Sequence, residues 1–239
     1  MDAKDSPLDL TVIIPTYNEG ETIGTVIGAV EEVLDRAGIR GEILVVDDSS
    51  PDGTIPAVRA LEAVIPNLRL AVRTSDPGLS QSVVEGFSLS RAPVLVVMDA
   101  DLSHPPELIP RFFEEIRNGA DVVIGSRYMR GGAIEDWPAG RRVISWGATL
   151  LGRILFPGIT DPVSGFFAVR REVVAGARLH PKGYKILMEV LGRGSWGKAK
   201  EIPFIFRDRK AGSSKLGPGT ILDYLRQVLG ISFHALSGR

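Results

Sequence analysis

Two carboxylates, Asp99 and Asp101, stand two residues apart at the end of an apolar run, and they are the sequence's densest point of chemistry. The residues before them, Val94 to Met98, are all apolar. A short continuous run of this kind suits a strand covered on both faces of a parallel sheet. In open α/β sheets ligands bind beyond the carboxyl ends of the strands, so this strand would deliver both acids to the binding edge. At i, i+2 they can converge on one cation. The chain has no Cys and only three His, which leaves an all-oxygen site and favours Mg²⁺ or Mn²⁺ over zinc. The competing reading makes both acids polar loop or N-cap residues before the next helix, which Pro105-Pro106 would start. His104, flanked by Pro105, reads as a structural loop residue rather than a catalytic base.

The elements that must position these acids alternate. Leu10–Pro15, Glu42–Val46, Leu68–Arg73, Val94–Met98 and Asp121–Ser126 read as strands. Glu19–Ala37, Thr54–Ile65, a stretch from Ser80, and Pro106–Asn118 read as helices. This pattern implies right-handed βαβ units and an α/β, doubly wound, mostly parallel sheet. Polar or acidic clusters follow the first, second and fourth strands, which places Glu19, Asp48, Asp99 and Asp101 along one edge. Gly20, Gly24 and Gly28 form a smooth stripe expected to pack closely on the sheet; they are not the G-x-G-x-x-G dinucleotide fingerprint.

After Ser126 the alternation stops. Arg127–Gly140 reads as a Gly-rich loop, and Val143–Phe156 as a helix apolar nearly all round. Such a helix spans about 21 Å, short of a bilayer core of roughly 30 Å. Burial within the protein is the expectation, ahead of a place in a membrane interface headed by Arg141-Arg142. A short strand through Val169, a helix over Tyr184–Leu191 and a strand over Glu201–Phe206 follow. Arg207–Gly219 is a basic, Gly-rich stretch suited to closing on phosphates, or a solvated turn. Ile221, Leu222, Leu225, Val228, Leu229 and Leu236 mark an amphipathic helix for packing on the domain or docking on a membrane.

The 239 residues suffice for one large α/β domain. No apolar run is long enough to span a membrane, and the acidic, polar first residues are unlike a signal peptide. The net charge of −1 hides a split. Residues 1–120 carry 9 Lys/Arg against 20 Asp/Glu, a balance of −11; residues 121–239 carry 19 against 9, a balance of +10. Either the second half meets something anionic or the two halves attract one another.

VIIPTYNE, VVDDSSPDGT, the D-A-D of VMDADLSHPP, GSRY followed by GG, D-x-x-SGFFA, and FRDRKAGSSKL occur in this order. Over roughly Leu10 to Leu229 the chain closely resembles family-2 glycosyltransferases of the GT-A fold. Within them it is most similar to the branch of dolichyl-phosphate (polyprenyl-phosphate) mannose synthases. By that resemblance Pro15, Tyr17 and Glu19, with Val46 and Asp48, form the base and ribose pocket of a nucleotide sugar. Asp99, Ala100 and Asp101 form the diphosphate–metal site, with Asp101 the main ligand of Mg²⁺ or Mn²⁺. Ser103, where some relatives have Gln, is a shorter oxygen ligand. Arg127 and Arg141 hold the lipid phosphate, and Arg209, Ser214 and Lys215 belong to a loop closing over donor and acceptor. Ser213 stands where that loop often carries an acid.

The resemblance implies transfer of mannose from GDP-mannose to dolichyl or polyprenyl phosphate, with inversion, giving a β-mannosyl-phosphoryl lipid and GDP. It also implies a peripheral protein on the cytoplasmic face of a membrane. Its partners would be the membrane surface and either a small membrane-anchoring subunit or further C-terminal transmembrane helices, with no nucleic acid. The expected division is a flexible stretch at 1–9, a catalytic domain at 10–217 split into a nucleotide-sugar half (10–126) and an acceptor half (127–217), and an amphipathic helix at 218–239. A UDP-glucose-dependent polyprenyl-phosphate glucosyltransferase and a catalytically silent nucleotide-binding membrane adaptor remain as rivals. A signalling receiver domain does not fit, because Asp47-Asp48 closes the second strand rather than the first.

Overall fold

The computed structural model describes residues 7–135, 137–180, 185–207 and 224–232. Strands β1 (Leu10–Thr16), β2 (Gly41–Asp47), β3 (Leu68–Val72) and β4 (Val94–Val97) alternate with helices α1 (Ile23–Ala37), α2 (Thr54–Glu62) and α3 (Leu79–Leu89). A 3-10 turn at Pro106–Leu108 and helix α4 (Ile109–Arg117) lead to β5 (Val122–Ser126). Then come β6 (Ala133–Ile134), α5 (Ala139–Leu155), β7 (Phe167–Arg170), α6 (Arg171–Val174), α7 (Ile186–Arg193), β8 (Ala199–Pro203) and β9 (Ile205–Phe206). A last helical stretch, α8, occupies residues 224–232.

The main sheet runs β3-β2-β1-β4-β7-β5-β8, while β6 and β9 pair separately. All of its strands are parallel except β7, which lies antiparallel between β4 and β5. The order reverses between β1 and β4, so a crevice opens beyond their carboxyl ends, where doubly wound folds bind ligands. The antiparallel β7 was not legible in the sequence. It sets a strand from the chain after Arg127 between two strands that precede Arg127, all in one sheet.

The continuous apolar runs are buried on both faces, as expected for parallel strands. Val12 and Ile14 face one core cluster with Val26, Ile27, Phe112 and Phe166. Ile13 faces the other, with Val83, Phe87 and Leu187.

Two expectations fail for physical reasons. Helix α1 starts at Ile23 rather than Glu19; ahead of it the chain turns through Asn18 in the left-handed region, φ 60°, and the N–H groups of Asn18, Glu19 and Gly20 are held by Ser50 Oγ, Thr54 Oγ1 and Asp52 Oδ2 at 2.9, 2.9 and 3.0 Å. The glycine stripe does not pack on the sheet. Gly24 and Gly28 are exposed, and α1 turns Ile23, Val26, Ile27 and Val30 inward, the face that removes more apolar area from water.

Helix α5 corrects a third expectation. Its bulky residues are not buried: Val143 is 67% exposed, Trp146 53% and Ile154 70%. It packs inward through small residues at i, i+4, i+7. Ser145 Oγ lies 3.0 Å from Tyr128 Oη, Thr149 is buried, and Gly152 backs onto Pro162 so closely that a Cβ would sit 2.6 Å from Pro162 Cγ. Helix α8 clasps it from outside, with Tyr224 Oη donating to Ala148 O at 2.5 Å.

Candidate active site

Loops from the carboxyl ends of β1, β2, β4 and β5 converge at the crevice. At the β2 end, Asp47 is wholly buried and accepts from Thr16 Oγ1, Ser50 Oγ and Ser50 N at 2.7, 2.7 and 2.8 Å. It fastens the β1 and β2 loops together. Asp48 receives the Gly78 N–H at 2.7 Å and pairs with Arg73, which also donates to Glu85 at 2.8 Å. The expected nucleotide-pocket carboxylate is therefore already held in place. Burial opposes the Arg73 charge, but Glu85 and Asp48 outweigh it and raise its pKa. Tyr17 is exposed at the rim, and Glu19 is half-buried beside it. The Val46 side chain lies wholly in the sheet core, so only its backbone can face a ligand, as an inward position on a doubly covered strand dictates.

At the β4 end the chain turns through Leu102 in the left-handed region, φ 63°. Asp101 Oδ1 accepts the Ser103 N–H at 3.1 Å and the Ser103 hydroxyl. Ser103, read as a metal ligand, is turned onto Asp101 instead and buried. His104 is 2% exposed, stacks on Phe166 at 5.0 Å and meets Phe204 and Phe206 edge-on. Its Nδ1 accepts the Asp99 N–H at 2.9 Å, which fixes the Nε2–H tautomer. Burial pushes its pKa down to about 4 despite the pull of Asp101. The ring is thus neutral, and it is structural as expected.

Asp99 and Asp101 fit a hard divalent cation. Among the described residues no group of three His, Cys, Asp or Glu could hold a metal alone. Two carboxylates, with further oxygens from a bound diphosphate, suit Mg²⁺ or Mn²⁺.

From the β5 end comes Arg127, buried and gripped by Asp161. Its own N–H, Nε and Nη2 donate to the Asp161 carboxylate at 3.0, 2.8 and 2.9 Å. Burial works against the guanidinium charge, yet Asp161 outweighs it and raises the pKa. The segment bearing Asp161 is tied down by Glu201, which accepts from Thr160 N, Thr160 Oγ1 and Asp161 N at 2.8, 2.8 and 3.0 Å. Arg141, on the first turn of α5, sets its guanidinium 4.0 Å from the Trp137 ring centroid. Arg142 does not join it; it donates to Ile134 O at 2.8 Å. Arg209, Ser214 and Lys215 lie outside the described residues.

The structure thus brings Asp99, Asp101, Arg127 and Arg141 around one crevice. It adds Asp161 and Glu201, and at the β2 end Arg73, which sequence reasoning missed. Asp161 sat in the quoted D-x-x-SGFFA motif without a role. Among the described residues no helix is long and apolar enough to cross a membrane.

The model of glycosyl transferase family 2 matches residues 11–176. A dolichol-phosphate mannosyltransferase of Pyrococcus furiosus is 48% identical over 92% of this chain, and the chain spans 63% of that relative's length. An undecaprenyl-phosphate mannosyltransferase of Micrococcus luteus is 38% identical, covering 87% of this chain and 88% of its own. Among solved structures, glucosyl-3-phosphoglycerate synthase of Mycobacterium tuberculosis with Mn²⁺, UDP-glucose and phosphoglyceric acid superposes with a TM-score of 0.70 at 19% identity, over 92% of this chain and 80% of that one. At that identity the likeness concerns the fold.

Proposed function

The chain belongs to glycosyltransferase family 2, and from that premise we propose that it transfers mannose from GDP-mannose to the phosphate of a dolichol or other polyprenol, with inversion. The observation that carries the reading is one crevice with two strand-end carboxylates on one side and a buried arginine on the other, beside a helix with an apolar outer face. The printed activities of the Pyrococcus and Micrococcus relatives support the acceptor class and the sugar. The Mn²⁺ in the mycobacterial synthase supports a divalent ion, which Asp99 and Asp101 would hold here. Such an ion supplies neutralisation of the charge that grows on the leaving group.

In this reading the bond from the sugar's anomeric carbon to GDP breaks as one forms to an oxygen of the lipid phosphate. That oxygen is ionised near neutral pH, so no strong general base is needed. His104, neutral and with Nδ1 occupied, fits that economy. Arg127, oriented by Asp161, and Arg141 hold the acceptor phosphate, a task suited to planar guanidinium forks. Tyr17, Glu19 and Asp48 border the base and ribose, and the family resemblance assigns Arg209, Ser214 and Lys215, outside the described residues, to the phosphates. The outward Val143, Trp146 and Ile154 of α5, with Leu225 and Leu229 of α8, rest in the lipid interface, which makes the protein peripheral.

The test is a two-donor assay with a short polyprenyl phosphate, Mg²⁺ or Mn²⁺, and labelled GDP-mannose or UDP-glucose in parallel, with an EDTA control. Metal-dependent labelling of lipid from GDP-mannose alone is the expected result. Labelling from UDP-glucose instead refutes the sugar, and labelling from neither refutes the transfer.

A further inference from the structure

Helix α5 opens with two adjacent arginines, and they are held in different ways. Arg142 turns back and donates to Ile134 O at 2.8 Å. Arg141 lies over the ring of Trp137, its Cζ 4.0 Å from the ring centroid. That is well inside the roughly 6 Å over which an aromatic face attracts a guanidinium.

Trp137 is fixed in its turn. Its ring meets Phe206 edge-on at 5.2 Å, and Phe206 is buried. Ile134 and Phe206 are partners in the β6–β9 pairing, and the Glu135 N–H donates to Phe206 O at 2.9 Å. The same Phe206 ring lies 5.7 Å from Arg127 Cζ and 5.9 Å from the His104 ring. His104 holds the Asp99 N–H. A row of aromatic contacts therefore runs from the acid-bearing loop past Arg127 to Trp137, and Arg141 rests at its end.

The choice of tryptophan is informative. Its Nε1–H is buried and has no hydrogen-bond partner among the described residues. A buried indole N–H usually finds one, and leaving it without one costs free energy. Phenylalanine would pack here without that cost, so packing alone does not account for an indole. What the indole adds is the aromatic face that attracts a cation most strongly. We propose that Trp137 is a positioning residue for acceptor binding, whose face pre-orders the Arg141 guanidinium that binds the terminal phosphate of the polyprenyl acceptor. This inference rests on the acceptor and on the Arg141 role assigned above. An unsupported arginine gives up rotamer entropy when a ligand orders it; one already laid on a fixed ring gives up less.

The test uses Trp137→Leu, Trp137→Phe, Arg141→Met and the double variant Trp137→Leu/Arg141→Met in the full chain. Binding of farnesyl phosphate, of inorganic phosphate and of GDP is measured by calorimetry, with urea unfolding alongside. Trp137→Leu should weaken farnesyl phosphate binding by roughly 5- to 30-fold, the span of a cation–π contact from exposed to desolvated. Trp137→Phe should restore much of it, and GDP binding should not change. Inorganic phosphate should bind more weakly than farnesyl phosphate and show the same dependence on Trp137. In the Arg141→Met background, Trp137→Leu should cause no further loss, because the ring acts through the guanidinium. A ring that only packs would weaken binding by the same factor in both backgrounds, or move stability alone, and either result overturns the proposal.

A second readout leaves Trp137 in place. In a Trp146→Phe/Trp196→Phe background it is the sole indole. Saturating inorganic phosphate should change its emission, and Arg141→Met should abolish that change. No change, or one that persists in Arg141→Met, overturns the proposal whether or not Trp137→Leu folds. Farnesyl phosphate binding that is intact in the wild type and unaltered in Trp137→Leu refutes the positioning role and leaves the acceptor assignment standing. Absence of that binding in the wild type overturns both. Inorganic phosphate bound as tightly as farnesyl phosphate overturns the lipid assignment.

Discussion

Removing the Asp161 carboxylate should destabilise the fold. Asp161 is wholly buried, and its partner Arg127 is 7% exposed; three hydrogen bonds of 2.8–3.0 Å join them. Asp161→Ala leaves the guanidinium in the protein interior without its counter-ion. Breaking a buried pair on one side costs about 3–5 kcal/mol. For a chain of this size that is a fall in melting temperature of roughly 6–20 °C, and a large part of a typical total stability of about 5–15 kcal/mol. The cost comes from stranding a charge more than from losing an attraction. The double variant Asp161→Ala/Arg127→Met should therefore be more stable than Asp161→Ala alone, because it removes the stranded charge. Urea unfolding of the wild type, both single variants and the double variant measures this directly. If Asp161→Ala costs under about 1 kcal/mol, or if the two changes simply add, the reasoning about the pair is wrong.

Asp101→Ala should abolish metal-dependent turnover while leaving the unfolding midpoint within about 0.5 kcal/mol of wild type, since the side chain is only partly buried; steady-state assays with a metal titration check it. Gly165→Ala would place a Cβ 3.3 Å from Asp99 Oδ2 and from His104 Cε1. It should shift the acid-bearing loop and raise the metal concentration needed for half-maximal activity, with little loss of stability. Val143→Ser/Ile154→Ser should leave the melting temperature unchanged and weaken sedimentation with anionic vesicles by roughly 10-fold or more, because each bulky side chain buried in lipid contributes about 1.5–3 kcal/mol. His104 gives a pH signature. Its folded pKa of about 4 lies below the ordinary 6.5, so between these values the unfolded chain binds more protons than the folded one. Its neutral burial is fully favourable above pH 6.5, and stability is lost as pH falls from 6.5 towards 4. His104→Asn, which keeps a short acceptor for the Asp99 N–H, should flatten that slope in urea titrations at stepped pH.

Much of the chain up to β5 could be read directly from the sequence. Val94 to Met98 are apolar without interruption because β4 is covered on both faces, and a strand of that kind in an open parallel sheet ends at the binding edge. Asp99 and Asp101 follow from it, as does the structural reading of His104. Periodicity is local, so elements set by local pattern were accessible. The chain after β5 was not, because its decisive partners are distant in sequence. Asp161 meets Arg127 only because β7 is inserted antiparallel between β4 and β5. Glu201 reaches Thr160 across forty residues of chain, at the strand pairing of β5 with β8. Helix α5 looked buried from its composition, yet the direction it faces depends on the small residues Ser145, Thr149 and Gly152 fitting against Tyr128 and Pro162, and only the packed structure decides that. The sequence alone determined which strands are buried and where their acids emerge, because burial on both faces leaves a local apolar signature. The tertiary structure decided which charges meet, because an ion pair requires only proximity in space and leaves no pattern along the chain.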